Sequence, residues 1–306
     1  MVVKMLNNKE IIFGPERRYT WINIKKENTD VIKILKKSKK IETELLGYAL
    51  DENENAHVEY EPEGKMLLIV FNVVKKYSER YETEPVAFVV KENELYSFTT
   101  VQTEYVTEFI EGLIKQQSDL SQLSLVFKTL YLIVGAFFPV IKDVDKKRTE
   151  MTEKLKTKAT NHNLLELSDL AMGLVYLVNA TRQNSLLLNQ LQKMADRYLL
   201  TENEKEELED VVIEADQLEA MANLSNQIIG QISDTYNNLL NNNLNDTMRL
   251  LTIWSLLLTV PTIVTGFFGM NVLLPFKDSQ FGWLFILLIS VGLSIILLFT
   301  ILRRIK

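Results

Sequence analysis

Two apolar runs constrain this chain more than any other feature. Leu250 to Phe268 ("LLTIWSLLLTVPTIVTGFF") and Phe281 to Leu302 ("FGWLFILLISVGLSIILLFTIL") carry no charged residue. At 1.5 Å of rise per residue, each helix is long enough for a hydrocarbon core of roughly 30 Å. The expectation is a membrane protein with two spans, about 250–268 and 281–302, joined by an outer loop at 269–280. Arg249 precedes the first span, and Arg303, Arg304 and Lys306 follow the second, whereas the loop carries one Lys277 and one Asp278. Basic residues gather on the cytoplasmic side. Both termini are therefore expected in the cytoplasm of a multi-pass plasma-membrane protein. "MVVKMLNNKE" at the start has no apolar stretch of signal-peptide length, which agrees.

Charge separates the rest from the spans. Four basic residues and one acid in 250–306 give +3, so the chain's −6 leaves −9 for residues 1–249. A part this acidic is suited to cations and speaks against nucleic acid as a partner. The absence of cysteine removes disulfides.

Residues 1–110 read as an α/β cytoplasmic domain. "RRYTWINI", "KMLLIVFNVV" and "EPVAFVVKENELYSFTT" have strand patterning, the last a hairpin turning at Glu92-Asn93. "NTDVIKILKKSKK" and "IETELLGYALDE" have helical spacing, with Asn28, Thr29 or Asp30 as cap. From 111 to 249 helical patterns take over, forming a helical and stalk region, so the chain is mainly α overall. Leu123 to Ile141 is apolar enough to imitate a third span. Lys128 within it, and the charge-rich "KDVDKKRTEMTEK" after it, predict a buried helix instead. A second helix is expected over roughly 163–197. Thr201 and Glu204 have capping-box spacing, and beyond them a third helix is expected to run from about Asn203 to Phe268. About 65 residues of helix measure roughly 100 Å.

That third helix carries a seam. Alternating steps of four and three give Asp234, Asn238, Asn241, Asn245, Met248, Thr252, Ser255, Thr259, Thr262, Gly266 and Gly269, polar or glycine apart from Met248. A 3.5-residue repeat keeps one face toward a helical partner or a shared axis. Small residues in lipid can serve packing alone, and Thr and Ser can bond back to their own helix. Below the membrane, however, the seam continues as Asp and Asn, and a carboxylate at a closed helix seam is costly unless water or a cation fills the axis. One chain supplies one such helix, so a pore requires a symmetric homo-oligomer. Several Asp234 carboxylates around one axis would then favour a bound cation.

"GFFGMNVLLPF" (266–276) closes the first span. Gly269 is placed to cap the helix in a left-handed conformation. The last four carbonyls have no intrahelical partner, so several copies would ring an outer mouth with oxygens, beside the Asn271 amides. Such a ring suits hydrated Mg²⁺, which dehydrates reluctantly.

Gly269, Met270 and Asn271, "SDTYNN" with Asp234, and "NDTMRLLT" with Asn245, Met248 and Thr252 together resemble the CorA family of magnesium transporters, as do Thr262 and Gly266. The resemblance implies a homopentamer whose first spans line the pore. It further implies a selectivity ring at Gly-Met-Asn and closure by regulatory Mg²⁺ bound between cytoplasmic domains. Asp210 falls at the spacing of one side of that regulatory site, while Lys75 and Lys76 occupy the strand end where an acid would help. Phe268 stands where Tyr is usual, Pro261 lies one position late, and Asp278 is the outer loop's only acid.

Other chemistry is thin. His57 and His162 are the only histidines and read as surface residues. No P-loop, nucleophile elbow or H-E-x-x-H is present, so the chain is not expected to be an enzyme or to hold an organic cofactor. The function expected is a divalent-cation channel for Mg²⁺ uptake, with Co²⁺ or Ni²⁺ also passing. A relative tuned to Zn²⁺, or one working in efflux, is the first alternative. A non-conducting membrane-anchored coiled-coil scaffold is the second.

Overall fold

The computed structural model describes residues 10–38, 40–75, 81–117, 119–157, 161–195, 200–270 and 281–305. Six strands form one sheet: β1 (Glu10–Phe13), β2 (Tyr19–Lys25), β3 (His57–Glu61), β4 (Met66–Val74), β5 (Thr83–Lys91) and β6 (Glu94–Thr99). Their order is β1-β2-β6-β5-β4-β3, antiparallel throughout except that β2 pairs parallel with β6. The β5–β6 hairpin turns at Glu92-Asn93 as expected, with Glu92 in the left-handed region at φ 47°. Between β1 and β2, Gly14 takes φ 84°, and a Cβ there would strike the Tyr19 ring.

Helices cover both faces of the sheet. α1 (Thr29–Ser38) and α2 (Thr43–Leu50) bury Val31, Leu35, Leu45, Leu46 and Ala49 against Ile22, Ile24, Leu68, Val70, Val89, Tyr96 and Phe98. Asn28 is the cap among the three candidates, its Oδ1 accepting from the Val31 amide at 3.3 Å. On the other face lie α3 (Glu104–Gln116), α4 (Gln122–Thr157) and α5 (Asn161–Lys193), with α4 against β4 and β5 and α5 against β3 and β4. All nine residues of β4 are buried. A strand covered on two sides loses its polar alternation, and each large side chain buried there contributes roughly 1.5–3 kcal/mol.

Polar groups inside this unit are partnered in short chains. Trp21 Nε1 donates to Ser97 Oγ (2.9 Å), which donates to Asn23 Oδ1 (2.8 Å). Lys26 is almost fully buried and donates to the Pro85 and Asp51 carbonyls at 2.9 and 3.3 Å. Burial pushes its ammonium below the usual lysine range, against the fields of Glu84, Glu52, Asp51 and Glu27. β3 stops pairing at Val70, and among the described residues no strand neighbours the next stretch of β4 on that side. There Asn184 of α5 takes a strand's place. Its Oδ1 accepts from the Asn72 amide (2.9 Å) and its Nδ2 donates to the Asn72 carbonyl (2.8 Å).

The apolar segment at 123–141 is a buried helix within this unit, as its charges predict. Leu125, Phe127, Leu130, Ile133, Val134, Phe137 and Ile141 of α4 have essentially no exposed surface. α6 (Glu202–Phe268) is a single continuous helix, and α7 (Gly282–Ile305) follows it. The expected capping box opens α6. Thr201 N and Oγ1 donate to Glu204 Oε2 at 2.8 and 2.9 Å, and the Glu204 amide donates back to Thr201 Oγ1 at 3.3 Å.

Compactness divides the chain into Met1–Ser233 and Asp234–Lys306. The first boundary expected from composition, near residue 110, separates two kinds of sequence but not two packed bodies, because α4 and α5 form a layer on the sheet.

Candidate cation pathway

The seam residues from Asp234 onward all lie in the second unit, on α6. Asp234, Asn238, Asn241, Asn245, Met248, Thr252, Ser255, Thr259, Thr262 and Gly266 are exposed, as is Gly269 just past the helix end. Their spacing places them on one face. From residue 250 onward the partly covered residues of α6 are Ile253, Leu257, Val260, Pro261, Val264 and Phe268. At 100° per residue, the centres of the two sets lie roughly 170° apart around α6. The polar seam is therefore opposite the partly covered face of α6. On α7 the buried positions are Gly282 and Ser290.

Hydroxyls on the seam bond to their own helix. Thr252 Oγ1 donates to Met248 O (2.8 Å), Thr259 to Ser255 O (2.7 Å) and Thr262 to Leu258 O (2.8 Å). A hydroxyl that has given its hydrogen to a backbone carbonyl retains only acceptor capacity. Such groups suit the water shell of a cation.

At the end of α6 the expected left-handed glycine is not found. Gly269 does not have positive φ. Its amide donates to Thr265 O at 2.9 Å, continuing the α-helical ladder, and Met270 N donates to Phe267 O at 3.3 Å. The helix thus ends by tightening into a 3₁₀-type turn, another way to occupy terminal carbonyls. Met270 is exposed. Asn271, Lys277 and Asp278 lie outside the described residues.

In the first unit, Asp210 is exposed on α6 and borders a cavity of about 260 Å³ with Leu113, Gln117, Lys128, Tyr131 and Glu207. Lys128, the charge that argued against a third span, lies in this groove. Its Nζ pairs with Glu207 Oε1 at 3.3 Å, so an ammonium already sits beside the acids of this groove. Among the described residues no group of three acidic or histidine side chains is arranged to hold a metal; Glu207, the other acid lining this cavity, is paired with Lys128. Lys75 pairs with Glu82 at 3.2 Å, whereas Lys76 lies outside the described residues. His162 pairs with Glu166 at 3.1 Å on an exposed surface, and His57 meets the Asn55 carbonyl at 2.8 Å.

A second group of titratable residues that sequence did not point to joins Tyr81, Asp143 and Lys147. The Tyr81 hydroxyl donates to Asp143, and Lys147 lies 3.2 Å from Asp143 and 4.7 Å from the Tyr81 ring centre. The Tyr81 hydroxyl bond, with Lys147 beside it, holds the Asp143 carboxyl below its ordinary range. These contacts tie α4 to the start of β5.

Comparison with known proteins accords with this architecture. A family model described as "CorA-like Mg2+ transporter protein" matches residues 16–304. The solved structure of the complete CorA magnesium transporter from Methanocaldococcus jannaschii superposes with a TM-score of 0.79 at 20% identity, covering 92% of this chain and 90% of that one. Full-length CmaX gives 0.72 at 16% identity, covering 94% and 88%. The cytoplasmic domain of ZntB from Vibrio parahaemolyticus gives 0.57 at 9% identity, covering 73% and 88%. At these identities the likeness is one of fold. No curated protein matches the chain.

Proposed function

The chain belongs to the CorA-like Mg²⁺ transporter family, and from this premise we propose that it forms a Mg²⁺ channel whose pore is lined by the seam of α6. In this reading α6 from about residue 250 and α7 cross the membrane, several copies surround one axis, and α7 lies outside α6. The family resemblance makes the assembly a homopentamer with both termini in the cytoplasm. Gly269, Met270 and Asn271 form the outer selectivity ring. Thr262, Thr259, Ser255 and Thr252 line the path below it, Met248 and Asn245 narrow it, and Asn241, Asn238 and Asp234 continue it into the cytoplasm. Asp234 and Asp210 bind regulatory Mg²⁺.

The observation that carries this reading is the seam's position. It is exposed within one chain, while the partly covered side chains of α6 from residue 250 lie on the opposite face. A packing stripe for α7 would have the reverse arrangement. The proton-spent threonine hydroxyls add acceptors at successive levels, suited to an ion that keeps its water.

The chain has no cysteine, so single cysteines report on the pore directly. Cysteines at Thr252, Thr259 and Thr262 should let polar thiol reagents block flux in proteoliposomes, and cysteines at Leu256, Leu257 and Ile263 should not. Uniform or reversed protection would show that the threonines pack against protein. Side-by-side uptake of Mg²⁺, Co²⁺ and Zn²⁺ into the same vesicles separates the Mg²⁺ reading from a Zn²⁺-selective one. The one-acid outer loop favours testing that alternative. Mass measurement in detergent tests the assembly, and a monomer would end the channel reading.

A further inference from the structure

One face of α6 turns from polar to apolar where the apolar run begins, and it is not the seam. Asn243, Asp246, Thr247, Leu250, Leu251 and Trp254 line an open groove of about 540 Å³, all of them within the second unit. At 100° per residue, this groove lies roughly 150° around the helix from Asn245, Met248, Thr252 and Ser255. In an oligomer whose axis the seam faces, it is turned outward. The apolar run starts at Leu250, so Asp246 stands four residues, roughly 6 Å, outside the hydrocarbon. Headgroups add about 5–8 Å on each side of that core. Asp246 therefore falls among headgroups, and Leu250 to Trp254 at the start of the acyl chains. Trp254 is 59% exposed, and tryptophan is enriched at that depth because its ring is amphipathic.

The polar end of the groove selects among headgroups. Basic residues prevail at the cytoplasmic edge of a span, and the leaflet there is itself negative, so a carboxylate is repelled unless a cation meets it. No side chain does so, since the Asp246 carboxylate has no partner among the described residues. Beside it, Thr247 Oγ1 donates to the Asn243 carbonyl at 2.8 Å and keeps only acceptor capacity. A carboxylate and a spent hydroxyl call for a positively charged donor. A primary ammonium brings three hydrogens, a quaternary ammonium brings none, and an anionic headgroup is repelled by the acid. We propose that the groove binds a phospholipid of the cytoplasmic leaflet whose headgroup ends in a primary ammonium, namely phosphatidylethanolamine. The ammonium meets Asp246 and Thr247, and an acyl chain lies along Leu250, Leu251 and Trp254. This rests on the reading above that α6 enters the membrane near residue 250 with its seam toward the axis.

The test uses the full chain in phosphatidylcholine vesicles. Each set is doped with increasing fractions of one lipid brominated on its acyl chains: phosphatidylethanolamine, phosphatidylcholine or phosphatidylglycerol. Bromine quenches tryptophan on contact. Trp21 is buried in the sheet unit, so Trp283→Phe leaves Trp254 as the one membrane reporter. The ethanolamine lipid should quench Trp254 at about 3- to 10-fold lower mole fraction than the choline lipid, the range for one net hydrogen bond. The glycerol lipid should be weakest. Asp246→Asn should remove the preference, and Asp246→Lys should reverse it in favour of the glycerol lipid. Equal quenching by all three lipids with Asp246 intact overturns the proposal. So does quenching by none of them, which would show a second copy of the chain closing the groove. An ethanolamine preference that survives Asp246→Lys overturns it too. Failure of the membrane reading looks different, because Trp283, read in a Trp254→Phe variant, would then escape quenching as well. Mg²⁺ flux in the same vesicles tests the pore, and its absence would end the channel reading while leaving the lipid preference as measured.

Discussion

α4 and the last third of α6 are comparably apolar and each long enough to cross a membrane, yet their surroundings are opposite. In the apolar window of α4, 56% of residues are buried inside the first unit, against 6% in the corresponding windows of α6 and α7. α4 satisfies its apolar face on a sheet within the same chain. α6 and α7 leave theirs for a different solvent or another copy. Hydropathy alone does not separate these cases. What does is the presence of a partner surface in the chain, together with one charged residue, Lys128, that finds an acid on α6.

The largest expected effect concerns the uncovered region. Asn271→Ala should abolish or greatly reduce divalent uptake while thermal unfolding of the sheet unit stays unchanged. Normal Mg²⁺ flux in that variant would remove Asn271 from the mouth. A matched pair of phenylalanines sharpens the contrast next. Phe137 of α4 is fully buried and Phe299 of α7 is 70% exposed. Phe137→Ala should cost about 3–5 kcal/mol, as for other buried aromatic truncations, and Phe299→Ala under about 0.5 kcal/mol, as at other sites away from packed cores. Equal losses in detergent would show that α7 is covered in the assembly as thoroughly as α4 is in the chain.

A smaller effect separates the two acids. Removing Asp234 or Asp210 should weaken inhibition by internal Mg²⁺ without stopping transport, because a ligand shifts a two-state equilibrium only by its differential affinity. Asp234→Ala should shift the inhibition curve further than Asp210→Ala. Lys75 stands at the strand end where an acid would help Asp210, and Lys128 lines the same cavity as Asp210. Unchanged inhibition in both variants would place the sensor elsewhere. The smallest effect belongs to the cap. Thr201→Ala should lower stability by about 1 kcal/mol, typical of a lost N-cap, with flux unaltered, and denaturant unfolding measures it.

Much of this fold was legible because local chemistry and tertiary structure agree. The Glu92-Asn93 hairpin, the Thr201–Glu204 box and the unbroken α6 each follow from neighbouring residues. β1 and β3 escaped notice since both are short strands at the sheet's edges, with polar or charged residues interrupting the pattern. The seam could be read as a period, but which face of α6 is left exposed is a property of the fold, and a period carries no direction. Gly269 was read as a left-handed cap by its residue type, whereas the helix closes there with ordinary bonds to Thr265 and Phe267. The pairing of Lys128 with a residue 79 positions away, and the Asn184 amide on Asn72, are products of the three-dimensional arrangement and have no local signature.

The Asn184 contact has a consequence for how such a chain can live beside copies of itself. An unpaired strand margin is a template for the margin of another molecule. Proteins held together by their helices keep their sheets at effective concentrations in the millimolar range. At that crowding, even a weak strand-to-strand attraction would compete with correct assembly. An amide side chain that occupies both the donor and the acceptor of Asn72 denies this stretch of β4 to a stranger's strand. It is a small guard against misassociation, built from a helix residue rather than from a charge or a proline.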